Sequence, residues 1–331
     1  MTPAAFEVFA TLLKSRSGLA IGPDKLYLLE TRLAPLLRAH NLVDLEALAL
    51  ALRGGGNAML AAAVVEAMTT NETFFFRDDK PFVHFRGQVL PQLAASRPPG
   101  AGLRFWSAAA STGQEAYSLA MIAAEGQALL GGRRVEIVGT DIAREPLARA
   151  RAGLYTQFEV QRGVPMTALV KHFRKEQEGW RIAEPLRAMV SFREWNLLAD
   201  LRPLGQFDTI FCRNVLIYFD QPTKSRVLEA IAERLAPDGV LYLGGAETIL
   251  GLTERLVAAP GGHGVYRRAN AAAPLSTAPL SAAPLSTTVS SAAAVSLGAI
   301  ASAMKAINAS AATPTDSRPV SSLRSGAAGA S

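Results

Sequence analysis

Among 331 residues there is one cysteine, Cys212, and it sits inside an apolar run. A single thiol excludes an intrachain disulfide and a cysteine-held metal cluster, which accords with a reducing compartment. Histidine is nearly as sparse: the four are scattered without ligand spacing, so no metal is expected. No apolar stretch approaches the roughly 18–20 residues needed to cross a bilayer, so no membrane insertion is expected. The chain does not open on a basic segment followed by an apolar one, which argues against a secretory signal. These absences make a cytoplasmic protein the expectation. Lysine and arginine nowhere cluster with interleaved aromatics, so nucleic acid is not an expected partner. The glycine fingerprint G-x-G-x-x-G of dinucleotide folds is missing as well.

What is present is apolar bulk, 49% of residues, in a chain long enough for two domains with their own cores. The net charge of +6 divides into about zero over 1–95, about +4 over 96–270 and about +2 beyond. So diffuse an excess suits an acidic protein partner or simple solubility. A monomer is expected.

Residues 1–95 read as a helical domain. Phe6, Phe9, Leu12 and Leu13 recur at helical spacing, and Pro23 stands at a first helical position before Leu26, Leu29, Leu33 and Leu36. Pro35 predicts a kink or an end nearby. Asp44 caps a third helix that runs to Leu52, with Gly54, Gly55 and Gly56 as its stop. Lys25 and Arg32, two turns apart, share a face: a solvated stripe or a basic strip for an acidic helix. The run Thr69–Asp78 then brings polar residues onto Phe74, Phe75 and Phe76, which reads as a helix cap followed by a buried anchor at a domain junction.

Across 96–270 strands alternate with helices, the mark of a parallel sheet. Leu103–Ser107 is the first strand; small residues follow to Gly113, which opens a helix carrying Ala116, Leu119, Ala120 and Ala123. Strand, small-residue turn and helix let a backbone approach a nucleotide-like ligand closely. Val135–Thr140 is the second strand and ends at Asp141, which suits either a ribose or a helix N-cap. Glu115 is a first-turn charge favoured by the helix dipole. Residues 163–190 interrupt the alternation with a charged hairpin, His172–Glu176 against Trp180–Ile182. The third strand, Val190–Trp195, closes at Asn196 and Leu197, and the fourth, Phe207–Cys212, closes at Arg213 and Asn214. Ligands in open α/β sheets bind beyond strand carboxyl ends, so both asparagines stand where ligand contacts are expected, or else stabilise their own turns. Pro222–Leu235 is a helix stopped by Pro237, Asp238 and Gly239; Val240–Leu243 is a fifth strand; and Leu256-Val257 with Gly264–Tyr266 forms a closing antiparallel pair. From Ala271 the chain turns to Ala, Ser, Pro and Thr, too poor in large apolar residues to offset ordering entropy, so 271–331 reads as a disordered tail; for Val295–Ile307 a transient helix or a weak docking segment are the alternatives to disorder.

Three strings resemble the CheR family of chemoreceptor methyltransferases: Phe105–Met121, Asn71–Arg77 against N-E-T-x-F-F-R, and Arg213–Asp220 against R-N-V-x-I-Y-F-D. The resemblance covers nearly all of residues 1–268. It implies a Rossmann-like α/β methyltransferase sheet with a small antiparallel β-subdomain, preceded by an all-helical N-terminal domain. It implies S-adenosyl-L-methionine as cofactor and methyl-ester formation on glutamates of chemoreceptor cytoplasmic helices. Carried over, Asn71, Thr73, Arg77, Glu115, Asp141, Asn196, Leu197, Asn214 and Val215 contact the cofactor, with Arg77 near its carboxylate and the reacting centre. Tyr218 lies near the transferred methyl. The basic strip of Lys25 and Arg32 becomes a substrate-facing helix, and in some members the subdomain's edge strand takes up a receptor's C-terminal peptide. Two segments depart from the family: Gly113–Ser118 has Gln114 and Ala116 in place of Glu and Pro, and Gly244–Glu247 has Gly245 and Ala246 in place of His and Ser. A non-catalytic cofactor sensor and a nicotinamide-dependent dehydrogenase are the alternatives; the missing glycine fingerprint and the helical N-terminus count against the second.

Overall fold

A computed structural model describes residues 1–53, 57–260 and 262–271. The Gly54–Gly56 stop and the tail from 272 onward, the Val295–Ile307 stretch included, lie outside the described residues.

The first helix, Pro3–Ser17, begins where the Thr2 side chain accepts the Ala5 N–H and ends on Gly18, whose φ of 80° costs a glycine little. Helices Leu26–Ala39, Leu45–Arg53 and Ala58–Met68 follow. Phe9, Leu13, Leu29, Leu33, Leu48 and Val64 face one another, each fully buried. Pro23 opens a short 3-10 turn, Pro23–Lys25, that runs into the second helix. That helix passes through Pro35 and ends at Ala39; burial of Leu29 and Leu33 holds it across the missing N–H.

The remaining chain builds ten strands: β1 Leu103–Ala108, β2 Val135–Asp141, β3 Leu154–Tyr155, β4 Phe173–Lys175, β5 Trp180–Ile182, β6 Val190–Glu194, β7 Phe207–Cys212, β8 Leu235–Leu243, β9 Leu256–Ala258 and β10 Val265–Arg268. Seven form one sheet in the order β6-β2-β1-β7-β8-β10-β9, parallel through β8 and antiparallel at β10 and β9. Its strands alternate with helices that cover both faces, which explains why β1 and β7 are buried almost without interruption. The fold is thus the Rossmann-like sheet expected, with the small antiparallel sheet beside it in the order β3-β5-β4. The hairpin β4–β5 pairs Phe173 with Ile182 and Lys175 with Trp180. Its third strand, β3, comes from outside 163–190 and is too short to announce itself. Pro237, Asp238 and Gly239 fall within β8, in a bulge where Phe207 and Thr209 oppose Leu235 and Val240.

Among the described residues no helix is long and apolar enough to cross a membrane, and no cluster of His, Cys, Asp or Glu could hold a metal ion.

Candidate functional site

The strand order turns between β1 and β7, and beyond the carboxyl ends of these strands lies a cleft of about 970 Å³, its open mouth included. Every residue singled out above as a contact lines it: Asn71, Thr73 and Arg77 from the helical side, Glu115, Asp141, Asn196, Leu197, Asn214, Val215 and Tyr218 from the sheet side. The sequence positions that come together span about 150 residues, so only the parallel sheet makes them neighbours.

The segment after Ala58–Met68 reaches the cleft through tight turns, with Phe76, Asp78 and Asp79 at φ of 51°, 65° and 43°. Phe75 anchors it as expected: fully buried, it meets Tyr155 edge-on at 5.0 Å and Phe173 at 5.5 Å. Phe74 instead carries the Arg162 guanidinium 4.3 Å above its ring. Arg77 donates to the Glu72 carbonyl at 2.7 Å. The Asn71 carbonyl accepts from Ser111 Oγ at 2.7 Å, tying this segment to the loop after β1.

That loop is sharply bent, with Ala109 and Ser111 at φ of 59° and 50° and Gly113 at 92°. A Cβ on Gly113 would stand 2.9 Å from both Ala150 Cβ and Phe192 Cζ, so the helix Gln114–Glu125 can start so close only on glycine. Asp141 secures the bend. Its Oδ2 accepts the Ser111 N–H at 2.8 Å and its Oδ1 the Ala143 N–H at 2.9 Å. It is not a helix N-cap, because the next helix begins at Arg144 with Ala143 in the cap position. Burial raises its pKa against those donated bonds. Each carboxylate oxygen retains acceptor capacity for a hydroxyl.

Glu115 is buried beside it. Its Oε1 accepts from Ser107 Oγ at 2.8 Å and its Oε2 from Arg213 Nη1 at 3.2 Å. Burial raises the carboxyl pKa, while Arg213 pulls the other way. Arg213 itself is 6% exposed. It also donates to the Arg77 carbonyl at 2.9 Å and to Asp78 at 2.6 Å, so one guanidinium joins the end of β7, the cleft carboxylate and the helical segment.

The loop after β7 holds Asn214 at φ 59° and turns through Leu216–Tyr218. Its outer side meets the end of the first helix: the Tyr218 carbonyl accepts the Ala20 N–H at 2.9 Å, and Leu19 bridges Phe219. The Asn196 side chain is taken up by structure, donating to the Arg16 carbonyl at 2.5 Å and accepting the Leu198 N–H at 2.9 Å. Trp195, also on the wall, has a buried indole N–H without a partner.

Of Lys25 and Arg32, the first is exposed and the second half-buried and engaged in hydrogen bonds. Arg32 donates to the Met68 and Thr69 carbonyls at 2.7 and 3.0 Å and to Thr70 Oγ1 at 3.0 Å, closing the end of the fourth helix. Arg213, Trp195 and the Glu247 carboxylate behind the loop are the site residues missed by sequence reasoning. Arg213 stood in plain view in the octapeptide, where a cation directly after a buried strand requires a partner.

Chemically the cleft offers two buried carboxylates, apolar walls from Leu19, Ile142, Trp195, Val215 and Phe219, and the guanidinium groups of Arg77 and Arg213. This donor set fits a ribose diol, a flat base and an amino-acid carboxylate, the three parts of S-adenosylmethionine.

Comparison with known proteins agrees. The family described as CheR methyltransferase, SAM binding domain matches residues 71–264, and CheR methyltransferase, all-alpha domain matches 4–69. The chain is 40% identical to the chemotaxis protein methyltransferase of Vibrio parahaemolyticus over 250 residues, 75% of this chain and 90% of that protein. It is 38% identical to chemotaxis protein methyltransferase 1 of Pseudomonas aeruginosa, covering 80% of this chain and 98% of that one. The Escherichia coli chemotaxis protein methyltransferase is 34% identical, with 77% and 88% covered.

Proposed function

The chain belongs to the CheR methyltransferase family, with S-adenosylmethionine as its cofactor, and we propose that it methylates glutamate side chains on the cytoplasmic helices of a chemoreceptor. The observation that carries this reading is the single cleft that gathers Arg77, Glu115, Asp141, Asn214 and Tyr218 at the carboxyl edge of the sheet.

When bound, the cofactor supplies a methyl group on a positively charged sulfur. A substrate glutamate is already ionised near neutral pH, with an ordinary pKa of about 4.3, so the displacement needs no strong base. The absence of histidine from the cleft lining is consistent with that chemistry. The chain's own contribution is alignment, worth up to about 7–11 kcal/mol in favourable cases, together with partial removal of water from the attacking oxygen. Asp141 holds the ribose, and Glu115, Asn214 and Val215 are further contacts to the cofactor. Arg77, a planar fork charged at every working pH, orients a carboxylate. Tyr218 borders the transfer point, and neither it nor Arg77 forms a covalent bond.

The test is transfer of labelled methyl from S-adenosylmethionine to receptor cytoplasmic fragments, followed by mild alkali. Label released as methanol identifies a carboxyl methyl ester, and peptide mapping of the labelled fragment assigns it to glutamate. Tight cofactor binding with no transfer to any fragment, or label that survives alkali, would defeat the assignment.

A further inference from the structure

The loop that carries Asn214, Val215 and Tyr218 into the cleft has no strand or helix hydrogen bonds over its first three residues, yet none of their N–H groups is left over. All three point at one side chain. Glu247 Oε2 accepts the Asn214 N–H at 2.9 Å, and Oε1 accepts those of Val215 at 2.9 Å and Leu216 at 2.7 Å. A fourth bond, from the Gly244 N–H to Oε2 at 2.6 Å, ties the carboxylate to its own turn. The residue is 5% exposed. We propose that Glu247 is a positioning residue for methyl transfer: its carboxylate sets the left-handed turn at Asn214 and thereby the placement of the loop's cleft-lining groups. The inference rests on reading the cleft as the cofactor site.

Four donors converging on one group require an acceptor with several lone pairs and no hydrogen of its own, which only an ionised carboxylate supplies at this size. Glutamine would keep one oxygen and turn an NH2 toward backbone donors, leaving at least two buried N–H groups opposed. The space is also shaped for the carboxylate. A Cβ on Gly244 would lie 2.8 Å from Glu247 Oε2 and 2.9 Å from Asn214 Nδ2, so this position must stay bare. The same arrangement accounts for the altered segment: Gly245 and Ala246 are exposed and a Cβ on Gly245 would meet nothing, whereas the two residues engaged in the clamp, Gly244 and Glu247, are those that match the family pattern.

A role confined to stability would lower the unfolding midpoint and nothing else once the protein is folded. A positioning role predicts a local change in the folded protein. Hydrogen exchange of the full chain without cofactor should show the amides of Asn214, Val215 and Leu216 losing at least tenfold protection in Glu247→Gln. Amides of β1 and β2 should be unchanged. At a temperature where circular dichroism shows the variant folded, its Kd for S-adenosylhomocysteine should rise at least tenfold. Glu247→Asp, which keeps the charge one methylene short, should recover part of both. If Glu247→Gln does not fold, Gly244→Ala displaces the same carboxylate by crowding and should give the same two signatures. Protection within twofold of the parent in a folded variant overturns the proposal, as does unchanged product affinity alongside a parent that binds. A parent that fails to bind S-adenosylhomocysteine sinks the reading of the cleft, while the exchange data still decide the clamp.

Discussion

Arg213→Met removes the cation that is hydrogen-bonded to Glu115. The guanidinium lies 3.2 Å from Glu115 and 2.6 Å from Asp78 and also holds the Arg77 carbonyl. Asp78 is half exposed and can return to water, so the cost concentrates on Glu115, whose side chain is 11% exposed. Breaking a buried pair from one side costs about 3–5 kcal/mol, a large share of a typical stability of about 5–15 kcal/mol. Replacing both partners is much cheaper, so Glu115→Gln with Arg213→Met should lose less than about 2 kcal/mol. The cycle therefore predicts a coupling energy of roughly 1–3 kcal/mol. The pH dependence has a definite sign. Burial raises the folded pKa of Glu115 above its unfolded value, and loss of Arg213 raises it further. The penalty belongs to the ionised form, so it is largest above the folded pKa and shrinks as pH falls and the carboxyl is protonated. Urea unfolding at pH 7.5 and pH 5.5 measures both effects. A single-variant loss below about 1 kcal/mol at pH 7.5, or a double variant no better than the sum of the singles, would refute the argument.

Arg77→Ala should weaken S-adenosylhomocysteine binding about 10- to 100-fold, the worth of one charge-assisted carboxylate contact, as read by calorimetry; full methylation rates with unchanged affinity would remove Arg77 from the site. Asp220 caps the helix Gln221–Arg234 and pairs with Lys14 at 2.7 Å, a contact that first of all holds its carboxyl down to about 2. Because the folded pKa lies below the ordinary value of 3.8, its contribution is present above that value and is lost as pH falls toward 2. Asp220→Asn keeps the cap acceptor, so its stability deficit should vanish between pH 4 and pH 2, and a constant deficit would point to something other than charge. Gly163 has φ 109°, and a Cβ there would lie 2.0 Å from the Phe75 carbonyl oxygen. Gly163→Ala should therefore cost more than about 3 kcal/mol, against about 1 kcal/mol for Gly100→Ala, where φ is similarly positive but the space is open.

The sheet was legible because β1, β2 and β7 are short, mostly apolar or β-branched segments closed by small or polar residues, and their ends carried the candidate contacts. Local pattern could not show what distant groups do to one another. Arg32 looked like half of a surface stripe, but its partners are carbonyls 36 and 37 residues away. Asp141 had the sequence context of a cap, yet the adjacent loop after β1, itself bent past Ala109, claims the carboxylate first. Glu247 sat in a segment read only for the two side chains it lacked. Three of its four donors come from the loop after β7, which reaches it only once β7 and β8 lie side by side; the fourth, Gly244, is on its own turn.

Backbone strain around the cleft bears on the chemistry. Three loops meet there, and each holds non-glycine residues at positive φ: Phe76 and Asp78, Ala109 and Ser111, and Asn214. Each such residue costs roughly 1–2 kcal/mol and persists only where neighbours over-determine it. In each loop the determinant is a side-chain oxygen that accepts the N–H of one strained residue: Ser118 for Phe76, Asp141 for Ser111 and Glu247 for Asn214. A protein that needed only to bind could let these loops order around their ligand. Fixing three of them in advance, each by an acceptor that is itself buried, is what a reaction driven by alignment requires. The direct displacement proposed here draws on little besides alignment. Loosening any one of the three acceptors should therefore reduce the rate of methyl transfer at saturating cofactor, beyond what weaker binding explains.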